Sequence, residues 1–323
     1  MDKARRDFLK TGAGATAGAA LLAGCQTTKP SFVAAPAVTP PKSPNETIRV
    51  ACVGIRGRGK SHIAGFQDLP NVEVVALSDI DERVLEERTE QFTKKYKRRP
   101  KAEWDFRKLL EDPTIDVMTF ATPNHWHSLG TIWSCQANKD VYVEKPASHN
   151  IFEGRKMVEA SRKYNRIVQY GVQLRSSAAI QEAVEHLRKG TIGTVYMARG
   201  LCYRWRGTIG VKQQVPVPPG VHYDMWLGPA PKQPFHENRF HYNWHYMWDF
   251  GNGDLGNQGV HEMDMCMWGL GVKFPSEVCT MAGMYIWPDD DKEIPNLSTS
   301  CFRYPKENVE IEFETRPWIT NEE

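Results

Sequence analysis

Ile48-Arg49-Val50-Ala51-Cys52-Val53-Gly54-Ile55-Arg56-Gly57-Arg58-Gly59 opens the stretch that decides the fold, and Val72-Glu73-Val74-Val75-Ala76-Leu77-Ser78-Asp79 closes it. A β-rich run, a glycine turn, a helix-like segment from Lys60, a second apolar run and an acid follow one another. That is the order of a βαβ unit that holds a dinucleotide. Glycines let backbone approach a pyrophosphate, the helix N-terminus supplies N–H groups and the positive end of its dipole, and the acid accepts ribose hydroxyls. Gly54, Gly57, Gly59 and Asp79 are the candidates for those roles. Arg56 replaces the middle glycine of G-x-G-x-x-G, so the turn either shifts onto Gly57 or offers the arginine to phosphate. An acid at the end of the second strand accepts the 2′-hydroxyl of NAD and repels the 2′-phosphate of NADP, so NAD is the expected cofactor and NADP is disfavoured.

Working outward, strand-like runs at Val117 to Ala121 and Val141 to Val143 alternate with helix-like ones such as His127 to Ala137. This pattern predicts an α/β fold with a doubly wound parallel sheet. Open parallel sheets bind ligands at the carboxyl ends of their strands. Thr122-Pro123-Asn124-His125-Trp126-His127 follows one such end and Glu144-Lys145-Pro146 the next. A third segment, Gly251-Asn252-Gly253-Asp254-Leu255-Gly256-Asn257-Gln258-Gly259-Val260-His261-Glu262-Met263-Asp264, is rich in glycine and polar groups.

With these three segments the chain resembles the Gfo/Idh/MocA group of sugar oxidoreductases, which pair an N-terminal Rossmann domain with a C-terminal α/β domain carrying a large, mostly antiparallel sheet. The resemblance covers essentially everything after residue 47. It implies a Rossmann domain over 47–165 and a substrate domain over 166–323. Cofactor contacts are then expected from Gly54, Arg56, Gly57, Gly59, Asp79, Thr122, Asn124, His127, Glu144 and Lys145. Substrate contacts are expected from Arg175, Asp254, Asn257 and His261.

Oxidising a secondary alcohol requires a group to take the hydroxyl proton while nicotinamide takes the hydride. Lys145 and His261 are the catalytic candidates. A lysine at a strand end would have its pKa lowered by desolvation and by the cationic cofactor, which suits proton transfer near neutrality. The bland reading of His261 is a core histidine on an amphipathic helix that begins near Gly259. Many members of the resembled group carry an aspartate four residues before this histidine, where this chain has Asn257. An amide can fix an imidazole tautomer but cannot stabilise imidazolium by charge, so a two-residue acid relay is not expected unless Asp254 or Asp264 compensates. His261-Glu262-Met263-Asp264 is not H-E-x-x-H, and His125 with His127 lacks a third ligand nearby, so no metal is expected. Aromatic density from Phe235 to Phe250, with Tyr242, Trp244, Tyr246 and Trp248, suits either sugar faces or packing at a sheet–helix junction.

Ahead of the fold, Arg5-Arg6-Asp7-Phe8-Leu9-Lys10 and an apolar run ending Leu22-Ala23-Gly24-Cys25 resemble a twin-arginine signal closed by a lipoprotein box. Residues 1–25 are thus expected to be removed up to Cys25, which would be lipidated. Residues 26–46, with Pro30, Pro36, Pro40, Pro41 and Pro44, would form a tether from the membrane. The predicted location is the periplasm, as a membrane-anchored lipoprotein. A net charge of +2 argues against nucleic acid as a partner. The six other cysteines form no C-x-x-C pair and read as mostly buried thiols, with a disulfide permitted by export.

Export and a soluble cofactor conflict unless the cofactor travels with the fold and regains its redox state in each turnover. Two chemistries satisfy this. One oxidises a sugar hydroxyl and reduces a second carbonyl compound. The other oxidises sugar C3, eliminates the glycosidic oxygen, adds water and re-reduces the ring, a net hydrolysis that resembles the NAD-dependent α-N-acetylgalactosaminidases of the same superfamily. A non-catalytic sugar-binding lipoprotein is the third alternative. The chain ends ten residues after the alternating run Val309 to Phe313, earlier than the resemblance leads one to expect. Further segments would carry substrate contacts and a homo-oligomer interface.

Overall fold

A computed structural model describes residues 46–316. The expected leader, Cys25 and most of the tether lie outside the described residues. Six strands form the first sheet: β1 Ile48–Val53, β2 Val72–Ser78, β3 Lys101–Ala102, β4 Val117–Phe120, β5 Asp140–Glu144 and β6 Val168–Gly171. Their order is β3-β2-β1-β4-β5-β6, and every pairing is parallel. The helices between them are α1 Gly59–Gln67, α2 Glu82–Tyr96, α3 Arg107–Leu110, α4 Asn124–Gln136 and α5 Ile151–Lys163.

Both faces of β1 are apolar because helices cover both. Val50 and Cys52 enter one core with Ile63, Val74, Leu77 and Phe92, while Ala51 and Val53 enter the other with Phe120, Trp126 and Val143. Local signals agree with the topology. The Asp81 carboxylate caps α2 by accepting from the Arg83 N–H, and Asn150 and Glu153 form a reciprocal cap on α5. The strand order reverses between β1 and β4, which opens a crevice at the carboxyl ends of these two strands.

β6 pairs in register with β5, from Val141↔Val168 to Glu144↔Gly171, so the parallel sheet runs past the boundary expected at residue 165. The physical reason is its edge position: β6 has a neighbour on one side only, and its half-exposed pattern does not read as a buried parallel strand.

Beyond it come α6 Ala178–Arg188, β7 Met197–Cys202, α7 Tyr223–Leu227, α8 Val260–Leu270, β8 Glu277–Gly283, β9 Leu297–Tyr304 and β10 Val309–Thr315. Among the described residues the second sheet has four strands, ordered β7-β10-β9-β8, with β7 parallel to β10 and the other two pairings antiparallel. α8 covers one face, where a side chain at Gly200 would meet Glu262 and Cys266. Among the described residues no helix is long and apolar enough to cross a membrane.

Between β7 and α8 runs a long, mostly irregular segment stitched to the first sheet. The Glu82 N–H donates to Gly220 O and the His222 N–H to Ile80 O, while His222 stacks on Trp104 at 3.7 Å. Trp126 Nε1 donates to the carbonyls of Met225 and Trp226, and Asn124 Nδ2 donates to Asn252 Oδ1 at 2.8 Å. Strand-end loops of one half and the aromatic segment of the other therefore share one groove.

Candidate active site

The groove has a volume of about 380 Å³ and sits at the carboxyl ends of the parallel strands. Its floor is the glycine turn. Gly54 has φ +78°, and a Cβ there would lie 2.8 Å from backbone atoms of Ala121 and Thr122, so only glycine lets β1 and the end of β4 come this close. At Gly59 a Cβ would lie 2.2 Å from Gly54 O, which makes Gly59 a packing glycine beneath the turn; it does not line the groove. Gly57 differs from both. No atom lies within 4 Å of where its Cβ would be, yet it lines the groove. The protein itself does not demand glycine at 57, which leaves the backbone there open to a ligand.

Asp79 closes the same end. Its Oδ2 accepts from Ile55 N at 2.9 Å and its Oδ1 from Asp81 N at 3.1 Å. Burial nevertheless pushes its carboxyl up to about 6. The Arg56 N–H also bonds to this carboxylate, and Asp79 lines the groove where a ribose hydroxyl would reach it. Arg56 and Arg58 line the groove beside it, and the buried Thr122 hydroxyl has no protein partner. These features fit a dinucleotide: an open glycine against the pyrophosphate, cations nearby and an acid at the ribose.

At the far side of the crevice stand Glu144 and Lys145. Glu144 Oε1 accepts from Arg58 Nε and His62 Nε2, each at 3.0 Å, and His62 Nδ1 meets the Thr119 hydroxyl at 3.1 Å. Burial alone would raise this carboxyl, but its bonds to His62 and Arg58 outweigh that and bring it to about 2. Lys145 Nζ donates to both oxygens of Asn257, the backbone carbonyl and Oδ1, the latter at 2.9 Å. Burial holds its ammonium below the ordinary lysine value; Glu144 opposes this, while Arg206 and Arg58 add to it. The Asn257 side chain reaches Lys145 because one π-helical turn, Leu255–Gly259, re-aims the chain just before α8.

Gly54, Arg56, Gly57, Asp79, Thr122, Asn124, Glu144, Lys145 and Asn257 converge on the groove, and several expected residues do not. His127 is buried, with Nδ1 against Pro146 O at 2.7 Å and Nε2 against Thr122 O at 2.9 Å, so it ties the loops after β4 and β5 together instead of facing a ligand. Arg175 binds Asp264 through two 2.8 Å bonds and lies over Trp268, away from the groove. Asp254 is buried against Arg206 at 3.0 Å. His261 is buried on α8 with Nδ1 unpartnered; among the described residues no hydrogen bond joins it to Lys145 or Asn257, although Lys145 is near enough to help lower its pKa after burial. Asn257 therefore partners the lysine, not the histidine.

The groove also has a wall that the sequence reading left open. Trp104, Phe106, Trp126, Trp226, Phe240, His241, Tyr242 and Trp244 line it, whereas Tyr246 is buried and Trp248 is exposed elsewhere. Trp104 follows β3 just as Thr122 follows β4. Among the described residues no three His, Cys, Asp or Glu side chains gather as a metal site would require.

Two family models meet this geometry. The oxidoreductase family NAD-binding Rossmann fold matches residues 48–172, and the oxidoreductase family C-terminal alpha/beta domain matches residues 189–281. Together they span more than half of the chain. The chain belongs to the Gfo/Idh/MocA oxidoreductase family. Curated Gfo/Idh/MocA relatives include an alpha-N-acetylgalactosaminidase of Shewanella oneidensis, 28% identical over 169 residues, covering 49% of this chain and 37% of that protein. A myo-inositol 2-dehydrogenase of Thermotoga maritima is 26% identical over 178 residues, covering 54% of this chain and 48% of the relative. This chain thus spans less than half the length of these two relatives. Among solved structures, the WlbA dehydrogenase of Bordetella pertussis in complex with NADH and UDP-GlcNAcA shares the fold, with a TM-score of 0.66, 19% identity and coverage of 85% of this chain and 68% of that one.

Proposed function

We propose that this Gfo/Idh/MocA protein is an NAD-dependent oxidoreductase that acts on a hydroxyl group of a sugar or sugar derivative, with Lys145 as the proton-transfer group. The observation that carries the reading is the pair of bonds from Lys145 Nζ to the two oxygens of Asn257, within the groove that holds the glycine turn and Asp79. A neutral amine has two N–H bonds and one lone pair. Asn257 takes both N–H bonds and carries no charge that would favour the ammonium, so the lone pair is left to accept a proton from a substrate hydroxyl. NAD, when bound, supplies the acceptor for the hydride from the carbinol carbon. The glycine turn and Asp79 would hold its pyrophosphate and ribose, and the aromatic wall would exclude water and offer flat apolar faces to a sugar ring.

Redox-neutral cleavage of a glycoside is the second reading. It is favoured by the similarity to a named alpha-N-acetylgalactosaminidase and by Asn257 at the reaction centre. In that case the base exposed on Lys145 takes the hydroxyl proton and later returns it. We further propose that residues 1–25 direct twin-arginine export, that Cys25 carries the lipid, and that the cofactor leaves the cytoplasm already bound.

Denaturing the purified mature protein and identifying released nucleotide by mass and absorbance tests the first reading. Stoichiometric NAD is expected, followed by turnover of sugars with an added carbonyl acceptor or of glycosides without one. A protein that neither carries nor binds NAD would end both enzyme readings.

A further inference from the structure

Four of the six described cysteines are buried, and burial pushes the thiols of Cys52 and Cys202 up to about 12 and that of Cys135 up to about 11, with Cys266 also raised. Thiolate is the reactive form, so these groups are inert. Cys279 on β8 and Cys301 on β9 are different: both are exposed, and they are direct partners across the antiparallel pair, in the register Glu277↔Arg303, Cys279↔Cys301, Met281↔Thr299.

Opposite residues in an antiparallel pair put their side chains on the same face, with Cα atoms about 4.5 or 5.5 Å apart. Both spacings fall within the roughly 4.4–6.8 Å that a disulfide spans. Neighbouring pairs confirm that opposed side chains meet here. Arg303 Nη1 reaches Glu277 Oε2 at 2.9 Å, two residues along on the cysteines' own face, and Thr280 Oγ1 meets Ser300 Oγ at 2.9 Å on the other. Ile311 and Phe313 of β10 share that other face in register with Phe302 and Ser300, and it is the face α8 covers. The two thiols therefore stand together on the open face of the sheet.

We propose that Cys279 and Cys301 form a cross-strand disulfide in the mature protein, an inference that rests on export for its oxidant. The thiolate of one cysteine attacks an oxidant disulfide of the thiol–disulfide exchange class, forming a mixed disulfide and releasing one thiolate. The second cysteine's thiolate then attacks the protein-side sulfur, so the S–S bond forms, the oxidant leaves as a dithiol, and it has gained two electrons while the two cysteines have lost two protons. The bond closes a loop that has β8 and β9 as its arms. That loop includes Asp291, Lys292 and Ile294, which contact the segment between β7 and α8: Asp291 accepts from Asn238, Lys292 donates to Gly207 O, and Ile294 packs against Gly253. It also pins β8, an exposed edge strand with β9 as its neighbour in the sheet.

The test uses the full chain. Incubated with excess oxidised glutathione, alkylated and digested, it should yield one cross-linked peptide pair, Cys279 to Cys301, lighter by two hydrogens. Cys52, Cys135, Cys202 and Cys266 should be alkylated only after denaturation. C279S and C301S should each block the cross-link and leave a glutathione adduct on the remaining exposed thiol, and the oxidised wild type should melt several degrees above the reduced form. Free Cys279 and Cys301 after oxidation, or separate glutathione adducts on both, would overturn the proposal whatever the route of the chain. In cells, protein processed at Cys25 should carry the bond, and processed protein with both thiols free would also overturn it. An unprocessed leader would instead count against export alone, leaving the glutathione result to decide the pairing.

Discussion

At the carboxyl ends of the parallel sheet, Gly54, Asp79, Thr122, Asn124, Glu144 and Lys145 all reach one groove, whereas in the second half Asp254 and Asp264 are committed to arginines and His261 is buried with its Nδ1 unpartnered. Topology makes the difference. A strand end in a doubly wound sheet delivers whatever residue follows it to the crevice, so position in sequence is close to position in the site. A residue on α8 or in the loop before it is placed by packing and by competition among charges, and sequence spacing says little about which partner wins. Asn257 crosses the divide because a π-helical turn redirects it onto Lys145.

The sharpest way to break this comparison is to remove Lys145. Lys145→Met keeps the apolar stem and deletes the amine; turnover should fall about 10²–10⁴-fold, the range of general acid–base contributions, while NAD binding and melting stay near wild type. A variant that keeps full activity would move the reaction centre out of the first half altogether. Asn257→Asp sharpens the same point. A carboxylate beside Nζ favours the ammonium, so the acidic limb of the pH–rate profile should move to higher pH, a shift that a merely structural asparagine would not produce.

Glu144 supplies an effect on stability. Its carboxyl lies at about 2 in the fold against an ordinary 4.5, so the fold gains from its ionisation above pH 4.5 and loses that gain as pH falls toward 2. A shift of this size corresponds to about 3–4 kcal/mol at most, at one pKa unit per ~1.4 kcal/mol. Glu144→Gln should therefore flatten acid unfolding between pH 5 and pH 2, as read by denaturant titration across that window. An unchanged profile would mean that Arg58 and His62 do not clamp the carboxylate in solution.

The glycine turn divides into two kinds of position. Gly54→Ala forces a side chain into the backbone of Ala121 at positive φ and should cost about 1–3 kcal/mol of stability. Gly57→Ala meets no protein atom, so its melting temperature should be unchanged while NAD affinity drops. Calorimetry on both variants separates a glycine required by the fold from one required by the ligand.

The fold and most of the cofactor floor were legible because the βαβ order, the glycines and the acid are local in sequence. Trp104 was missed because the strand before it, Lys101–Ala102, is two residues long and shows no periodicity. The aromatic segment was legible as dense but not as a wall, since Tyr242 and Trp244 face the groove while Tyr246 packs inward, a choice made by contacts with the first half. His127 looked like a ligand group because it follows a strand end, but α4 turns it back toward Thr122 O and Pro146 O.

The smallest effect tests the second half. Arg175 was expected to touch substrate, yet it spends its guanidinium on Asp264 and the face of Trp268. Nearly half of its side chain is exposed, and such pairs contribute no more than about 1 kcal/mol once solvent screening is counted. Arg175→Ala should therefore lower the melting temperature by a degree or two and leave NAD affinity and turnover intact. Activity lost at unchanged stability would mean that the pair with Asp264 opens on substrate binding. Residues of the second half would then be recruited by the ligand rather than fixed beforehand, and the contrast between the halves would become one of timing rather than of placement.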